Sequence, residues 1–177
     1  MLNPQNGGPQ GLRSCMCLCP MHENQPKETR CPFCPPSVAS AVFAEDPSLL
    51  ALYNLSPILP GHVLIVPRRH VERVAAMDDA EWDDFWKFAR KMASFVTASF
   101  HADGCDWTIQ DGASAGQTVG HVHLHLIPRH TGDLPEPGDW YPKLLAQQSG
   151  ESSTRPRLTP EEMAKVVQYL RLKMRQD

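Results

Sequence analysis

The sequence predicts an α+β domain, and three observations carry that prediction. Five segments of strand length alternate or run apolar, and in the clearest of them, His121 to Ile127, apolar side chains fall at every second position. Two further segments, starting at Asp78 and Thr159, show helical spacing behind a cap signal. At 177 residues, 41% apolar and 21% charged, the chain has the size and composition of a soluble domain with its own core.

Residues 1 to 30 are rich in Pro, Gly, Gln and Asn, so they read as a disordered extension to a domain spanning 31 to 177. Cys15, Cys17 and Cys19 lie in it and read as part of a solvated tail rather than a soft-metal or redox site. No secretory apolar stretch is present, which points to a reducing, cytoplasmic compartment. No apolar run approaches membrane-span length, and a net charge of −3 gives no general attraction to a nucleic-acid polymer or an anionic membrane.

Val38 to Ala44 and Leu49 to Asn54 flank Glu45-Asp46-Pro47-Ser48, whose composition favours a reversal, so a hairpin is expected there. His62 to Val66 is the third strand. Residues 78 to 100 form a long helix, with Asp78 as N-cap, Glu81 three positions on, and a stripe from Trp82 to Phe100 facing the core. Cys105 to Gln110 is the fourth strand, with Cys105 a small buried hydrophobe. His121 to Ile127 is the fifth. Residues 134 to 157 read as a mobile loop able to cover a site. Thr159-Pro160-Glu161-Glu162 then opens a C-terminal helix.

The fifth strand carries the chemistry. Successive strand side chains point to opposite faces, so Val122, Leu124 and Leu126 enter a core while His121, His123 and His125 share the other, exposed face. One ion cannot hold all three, because strand residues two apart are separated by roughly 7 Å and the outer pair by about 13 Å. The alternative is nucleophilic: a neutral imidazole whose Nδ1 proton is taken by a carbonyl has Nε2 free to attack an electrophile. Gly116, Gln117, Thr118 and Val119 precede it, and successive N–H groups there could cradle phosphate oxygens. Separately, Cys31-Pro-Phe-Cys34 suggests zinc or redox chemistry, and no βαβ pattern supports a thioredoxin-like use. Zinc needs two more ligands, and His70 and His121 are on offer.

His121-Val-His123-Leu-His125-Leu-Ile resembles the signature of the histidine-triad superfamily. The flanks are similar to its fragile-histidine-triad branch: Gln110-Asp111-Gly112, Gly116-Gln117-Thr118-Val119, Ile127-Pro128-Arg129 and Gly132-Asp133, with Asn54 and Pro60-Gly61-His62-Val63-Leu64-Ile65-Val66-Pro67 upstream. The resemblance covers roughly residues 31 to 175. It implies a five-stranded antiparallel sheet with one long helix and a C-terminal helix, in a homodimer. It implies hydrolysis of a dinucleoside polyphosphate through a nucleotidyl-histidine on His123, the His121 carbonyl fixing its tautomer and His125 serving the leaving group. His62 would orient the triad. Asn54 would bond ribose hydroxyls, and Gln110 and residues 116 to 119 phosphate. Phe33 and Leu64 would wall a base slot, and magnesium could accompany the polyphosphate. Zinc-carrying members are similar at the CxxC, implying a structural site of Cys31, Cys34, His70 and His121, against a plain reading of two small core cysteines and an exposed histidine. A nucleoside phosphoramidase, a phosphorylase and a slowly turning nucleotide sensor remain alternatives.

Overall fold

The computed structural model describes residues 31–145 and 155–176. The disordered reading of residues 1 to 30, and the central part of the expected loop, lie outside these described residues. Five strands build one antiparallel sheet: β1 (Val42–Glu45), β2 (Leu49–Tyr53), β3 (Val63–Pro67), β4 (Gly104–Ile109) and β5 (Leu124–Arg129), in the order β1-β2-β3-β5-β4. Helix α1 (Asp79–Ser99) follows β3, the short α2 (Trp140–Leu145) follows β5, and α3 (Pro160–Met174) closes the described chain. The α+β expectation, with its five strands and two principal helices, matches this architecture.

Both long helices begin where their side chains can satisfy open backbone N–H groups. Asp78 accepts from Glu81 N–H while the Glu81 carboxylate accepts from Asp78 N–H, and Thr159 and Glu162 repeat that reciprocal cap on α3. The α1 stripe of Phe85, Ala89, Met92 and Val96 packs on Ala51, Val63, Ile65, Leu124 and Leu126, joined by Met163, Val167 and Leu170 of α3. Fully burying an aromatic or branched side chain of this kind contributes roughly 1.5–3 kcal/mol.

The other sheet face holds a smaller apolar layer of Leu50, Leu52, Leu64 and Val66 under Val38. That layer explains two departures from the expected strands. Val38 to Ala41 do not extend β1: Ala39 N–H donates to the Pro36 carbonyl and Ala41 N–H to that of Val38, and these turns fold Val38 back over the sheet. The triad strand is also not half-exposed, because β5 is buried on both faces and the three histidines are buried with it. Its ladder starts at Leu124. Val122 N–H instead donates to the Val71 carbonyl, so His121 and His123 precede the paired segment. Within the expected mobile loop, residues 140–145 are helical, and Leu144 is buried.

Candidate active site

β3 and β5 are neighbours, and their register sets Leu64 opposite His125. A cavity of about 540 Å³ opens on this face, lined by Phe33, Leu64, Asn54, Gln110, His123 and His125 among others. His62 stands behind His125, fully buried, at the end of the turn in which Gly61 has φ +86°. Only glycine suits that turn, since a Cβ there would meet Phe100 at 2.8 Å and Pro128 at 2.9 Å.

The hydrogen bonds around the rings assign opposite tautomers to the two cavity histidines. His123 Nδ1 lies 2.7 Å from the His121 carbonyl, so it carries the proton and leaves Nε2 with a lone pair. Ile58 N–H donates to His62 Nδ1 at 3.1 Å, which puts the His62 proton on Nε2. His62 Nε2 lies 2.9 Å from His125 Nδ1, which must accept, and a neutral His125 therefore carries its proton on Nε2. The Asn54 amide nitrogen is farther from His62 Nε2, at 3.3 Å, and its own oxygen is fixed by Ser56 N–H at 2.9 Å.

Burial keeps these rings neutral. It pushes His62 down to about 3, reinforced by the charge of Arg155 and by coupling to His123. His125 is held well below its ordinary value, first by burial and then by His62, His123 and Arg155. His123 is lowered by burial, against which its bond to the His121 carbonyl works. One ring thus presents a lone pair and the next an N–H, 5.0 Å apart between centroids.

Of the other residues expected to bind ligand, some line the cavity and some do not. Asn54, Gln110, Gly116, Thr118, Val119, Phe33 and Leu64 line the cavity. Gln110 is held by its amide donating to Thr108 Oγ at 2.8 Å, and the Phe33 ring lies 4.9 Å from that of His123. Gln117 is a brace: its side chain accepts from Gly112 N–H at 2.7 Å and donates to the Glu72 carbonyl at 2.9 Å. The N–H groups of Gly116 and Gln117 donate to the Ala113 and Gly112 carbonyls in a tight turn, so these two N–H groups are already engaged. Among the cavity residues without a counterpart in the sequence reading are Arg155 and Arg157. Arg155 lies thirty positions from His125, and its only sequence trace is a basic pair, Arg155 and Arg157, just ahead of the α3 cap.

Beside the cavity, Cys31, Cys34, His70 and His121 bring four ligand atoms within 4.8 Å of one another and could hold a metal ion. His121 Nδ1 lies 3.4 Å from Cys31 Sγ and 3.6 Å from Cys34 Sγ, and His70 Nδ1 lies 3.5 Å from Cys34 Sγ. The far nitrogen of His121 donates to the Pro67 carbonyl at 2.9 Å, so its tautomer leaves Nδ1 free to ligate. Burial lowers His121 to about 4, with the bond to Pro67 opposing and His70 and His123 adding.

An HxHxH run leading into the sheet, with its central imidazole anchored through the preceding histidine's carbonyl, defines the histidine-triad class of folds. Residues 36–132 match the HIT domain, and the chain belongs to that family. A bis(5'-adenosyl)-triphosphatase of Dictyostelium discoideum is 41% identical over 132 residues, 75% of this chain and 84% of the relative. The next two curated relatives are spanned to 54% and 57% of their length. Among solved structures, the Caenorhabditis elegans NitFhit protein superposes with a TM-score of 0.61 at 31% identity, over 77% of this chain and 28% of that one. A Zn-bound histidine triad family protein of Mycobacterium smegmatis superposes with a TM-score of 0.57 at 26% identity, over 77% and 84%.

Proposed function

We propose that the protein hydrolyses dinucleoside polyphosphates such as diadenosine triphosphate, releasing AMP. The observation that carries this reading is the pair of opposed tautomers. His123 Nε2 attacks the α-phosphorus, and the bond from phosphorus to the bridging oxygen breaks with its electron pair staying on oxygen. His125 Nε2–H donates a hydrogen bond to that oxygen, which leaves as the phosphate anion while His125 keeps its proton. Water then cleaves the nucleotidyl-histidine, and splitting one hard displacement into two easier ones is what covalent catalysis supplies. Both rings are neutral near pH 7, as the two roles require. Asn54 reaches the ribose, Phe33 and Leu64 wall the base, and Gln110 with the backbone at Thr118 and Val119 holds phosphate oxygens. Magnesium, where needed, arrives with the polyphosphate. The identity to a bis(5'-adenosyl)-triphosphatase supports the substrate class.

The metal group is read as a structural zinc site. With bonds of about 2.3 Å to sulfur and about 2.05 Å to nitrogen, tetrahedral zinc separates neighbouring sulfur and nitrogen ligands by roughly 3.5 Å. The three Sγ···Nδ1 separations, 3.4, 3.5 and 3.6 Å, fit that edge. Zinc there would tie the Cys31–Cys34 turn, and Phe33 with it, to the residue that fixes His123. Cys31 and Cys105 are free thiols, which suits the reducing cytoplasm proposed for the chain. Dimerisation is proposed through β4, an edge strand beside which exposed Trp107 stacks on Trp86 of α1 at 5.8 Å.

The test is product analysis of diadenosine triphosphate in heavy-oxygen water, with wild type and His123→Asn. Label in AMP, and activity lost in the variant, is expected. Unchanged activity in the variant would end the mechanism, and tight binding without turnover would favour a sensor.

A further inference from the structure

Residues 71–74 follow His70 and run as a strap beside the segment from Gln110 to His123, bonded to it at three places. Arg73 Nε and Val74 N–H donate to the Asp111 carboxylate at 3.0 and 3.2 Å. The Gln117 amide donates to the Glu72 carbonyl at 2.9 Å. Val122 N–H donates to the Val71 carbonyl at 2.7 Å. Cavity-lining residues stand next to these anchors: Gln110 before Asp111, Gly116 and Thr118 on either side of Gln117, and His123 after Val122. Asp111, Gln117 and Val122 themselves are not part of the described lining. The segment is thus held from behind, at residues that alternate with those facing the cavity.

Gln117 carries two of the bonds that shape this segment. Its side-chain oxygen accepts from Gly112 N–H at 2.7 Å, and its own N–H donates to the Gly112 carbonyl at 3.0 Å, which closes residues 112–117 into a ring. Its amide nitrogen docks that ring on the Glu72 carbonyl. An amide supplies an acceptor and a donor at one tip, and here both are used. The Arg73 guanidinium covers the start of the ring so closely that a Cβ on Gly112, where φ is +100°, would meet it at 2.8 Å. We infer that Gln117 is a positioning residue for the phosphate side of the cavity, holding Gln110, Thr118 and Val119 in the arrangement that receives phosphate without itself touching the nucleotide. This rests on the nucleotide reading of the cavity and deepens it by assigning what keeps the phosphate contacts in place. Without the two amide bonds the segment samples arrangements that do not bind, and the measured affinity falls with the competent fraction. A ligand that lacks phosphate does not depend on this segment and is spared.

The test is calorimetric binding of AMP and of adenosine to the full chain, in wild type and in Gln117→Met, which keeps the length of the side chain and removes both amide bonds. Two neutral hydrogen bonds lost predict a fall of about 5- to 100-fold in AMP affinity. Adenosine affinity should change less than about 3-fold on the same reasoning. Amide hydrogen exchange of the free Met variant should quicken across residues 111–119 and stay unchanged in α1, which separates local loosening from unfolding. Asp111→Asn keeps an oxygen facing Arg73 and Val74 and is the milder variant; it should show the same AMP-selective pattern at smaller size, and it decides the matter if the Met chain does not fold. Unchanged AMP affinity, or equal losses of AMP and adenosine, would overturn the assignment, as would a wild type that binds AMP no more tightly than adenosine. Turnover of diadenosine triphosphate by wild type is read separately. Its absence, with the AMP-selective loss intact, would remove the hydrolase and keep Gln117 as the positioning residue of a nucleotide site.

Discussion

Replacing His62 with leucine tests the relay that sets the His125 tautomer. The change removes an acceptor from Ile58 N–H, bonded at 3.1 Å, and a donor from His125 Nδ1, bonded at 2.9 Å. Both groups are left in a region from which water is excluded, and each buried unsatisfied group costs about 1–3 kcal/mol, so the variant loses roughly 2–6 kcal/mol of stability. The catalytic effect is separate. Without a donor at Nδ1, the His125 proton is no longer confined to Nε2; a neutral hydrogen bond worth about 0.5–1.5 kcal/mol corresponds to a fall of roughly 3- to 10-fold in the competent fraction. The assay compares kcat for diadenosine triphosphate with kcat for the p-nitrophenyl ester of AMP, whose leaving phenolate spreads its charge into the nitro-substituted ring and depends less on a hydrogen bond from His125. The fall is expected with the first substrate and should be smaller with the second. His62→Gln, which can offer an amide N–H, should restore part of it. An equal fall with both substrates, or an unchanged kcat for diadenosine triphosphate, would refute the relay.

The same ring dictates a pH dependence. His62 is pushed from 6.5 to about 3 in the fold, so the native state binds fewer protons than the unfolded chain across that interval. Its contribution is whole above 6.5 and is lost progressively down to about 3, at up to about 1.4 kcal/mol per pH unit. Urea midpoints measured between neutral and mildly acid pH should therefore fall less steeply in His62→Leu than in wild type; parallel slopes would contradict the burial argument. Gly61→Ala places a Cβ 2.8 Å from Phe100 at φ +86°, and the left-handed conformation alone costs about 1–2 kcal/mol. Urea unfolding should show a loss of at least about 2 kcal/mol once the clash is added. Elemental analysis should find zinc bound to wild type in equal molar amount and lost in Cys31→Ser; a metal-free, equally stable wild type would refute the site. Sedimentation should show a dimer that Trp107→Arg dissociates, and an unchanged assembly would exclude the β4 edge.

Elements governed by local periodicity were legible from the sequence. The reciprocal caps at Asp78 and Thr159 need only residues three apart, and the helices start there as expected. The five strands were legible for the same reason, but their exposure was not. Alternation reports that two faces differ, and it cannot report that Val38 folds back over the second face or that Leu144 and Arg155 close on the cavity. Gln117 shows the converse limit. It stands in a glycine-containing stretch suited to phosphate, yet its amide is engaged by Gly112 and Glu72, and nothing in the local sequence distinguishes a brace from a ligand contact.

His121 shows why the triad cannot be read as three equivalent groups. Strand spacing already excluded one ion shared by all three imidazoles. The structure resolves the remaining choice through atoms that periodicity does not see. The His121 ring turns to Cys31 and Cys34 while its carbonyl accepts from His123, so one residue faces the metal group with its side chain and the nucleophile with its backbone. Phe33, between the two cysteines, lies against the His123 ring from the same side. An ion bound to this group would hold both supports of the nucleophile at once. Metal removal should accordingly weaken AMP binding as well as lower the melting temperature, with both measured on the chelated protein. A melting shift with AMP affinity unchanged would separate the two sites and make the links through His121 and Phe33 mechanically silent.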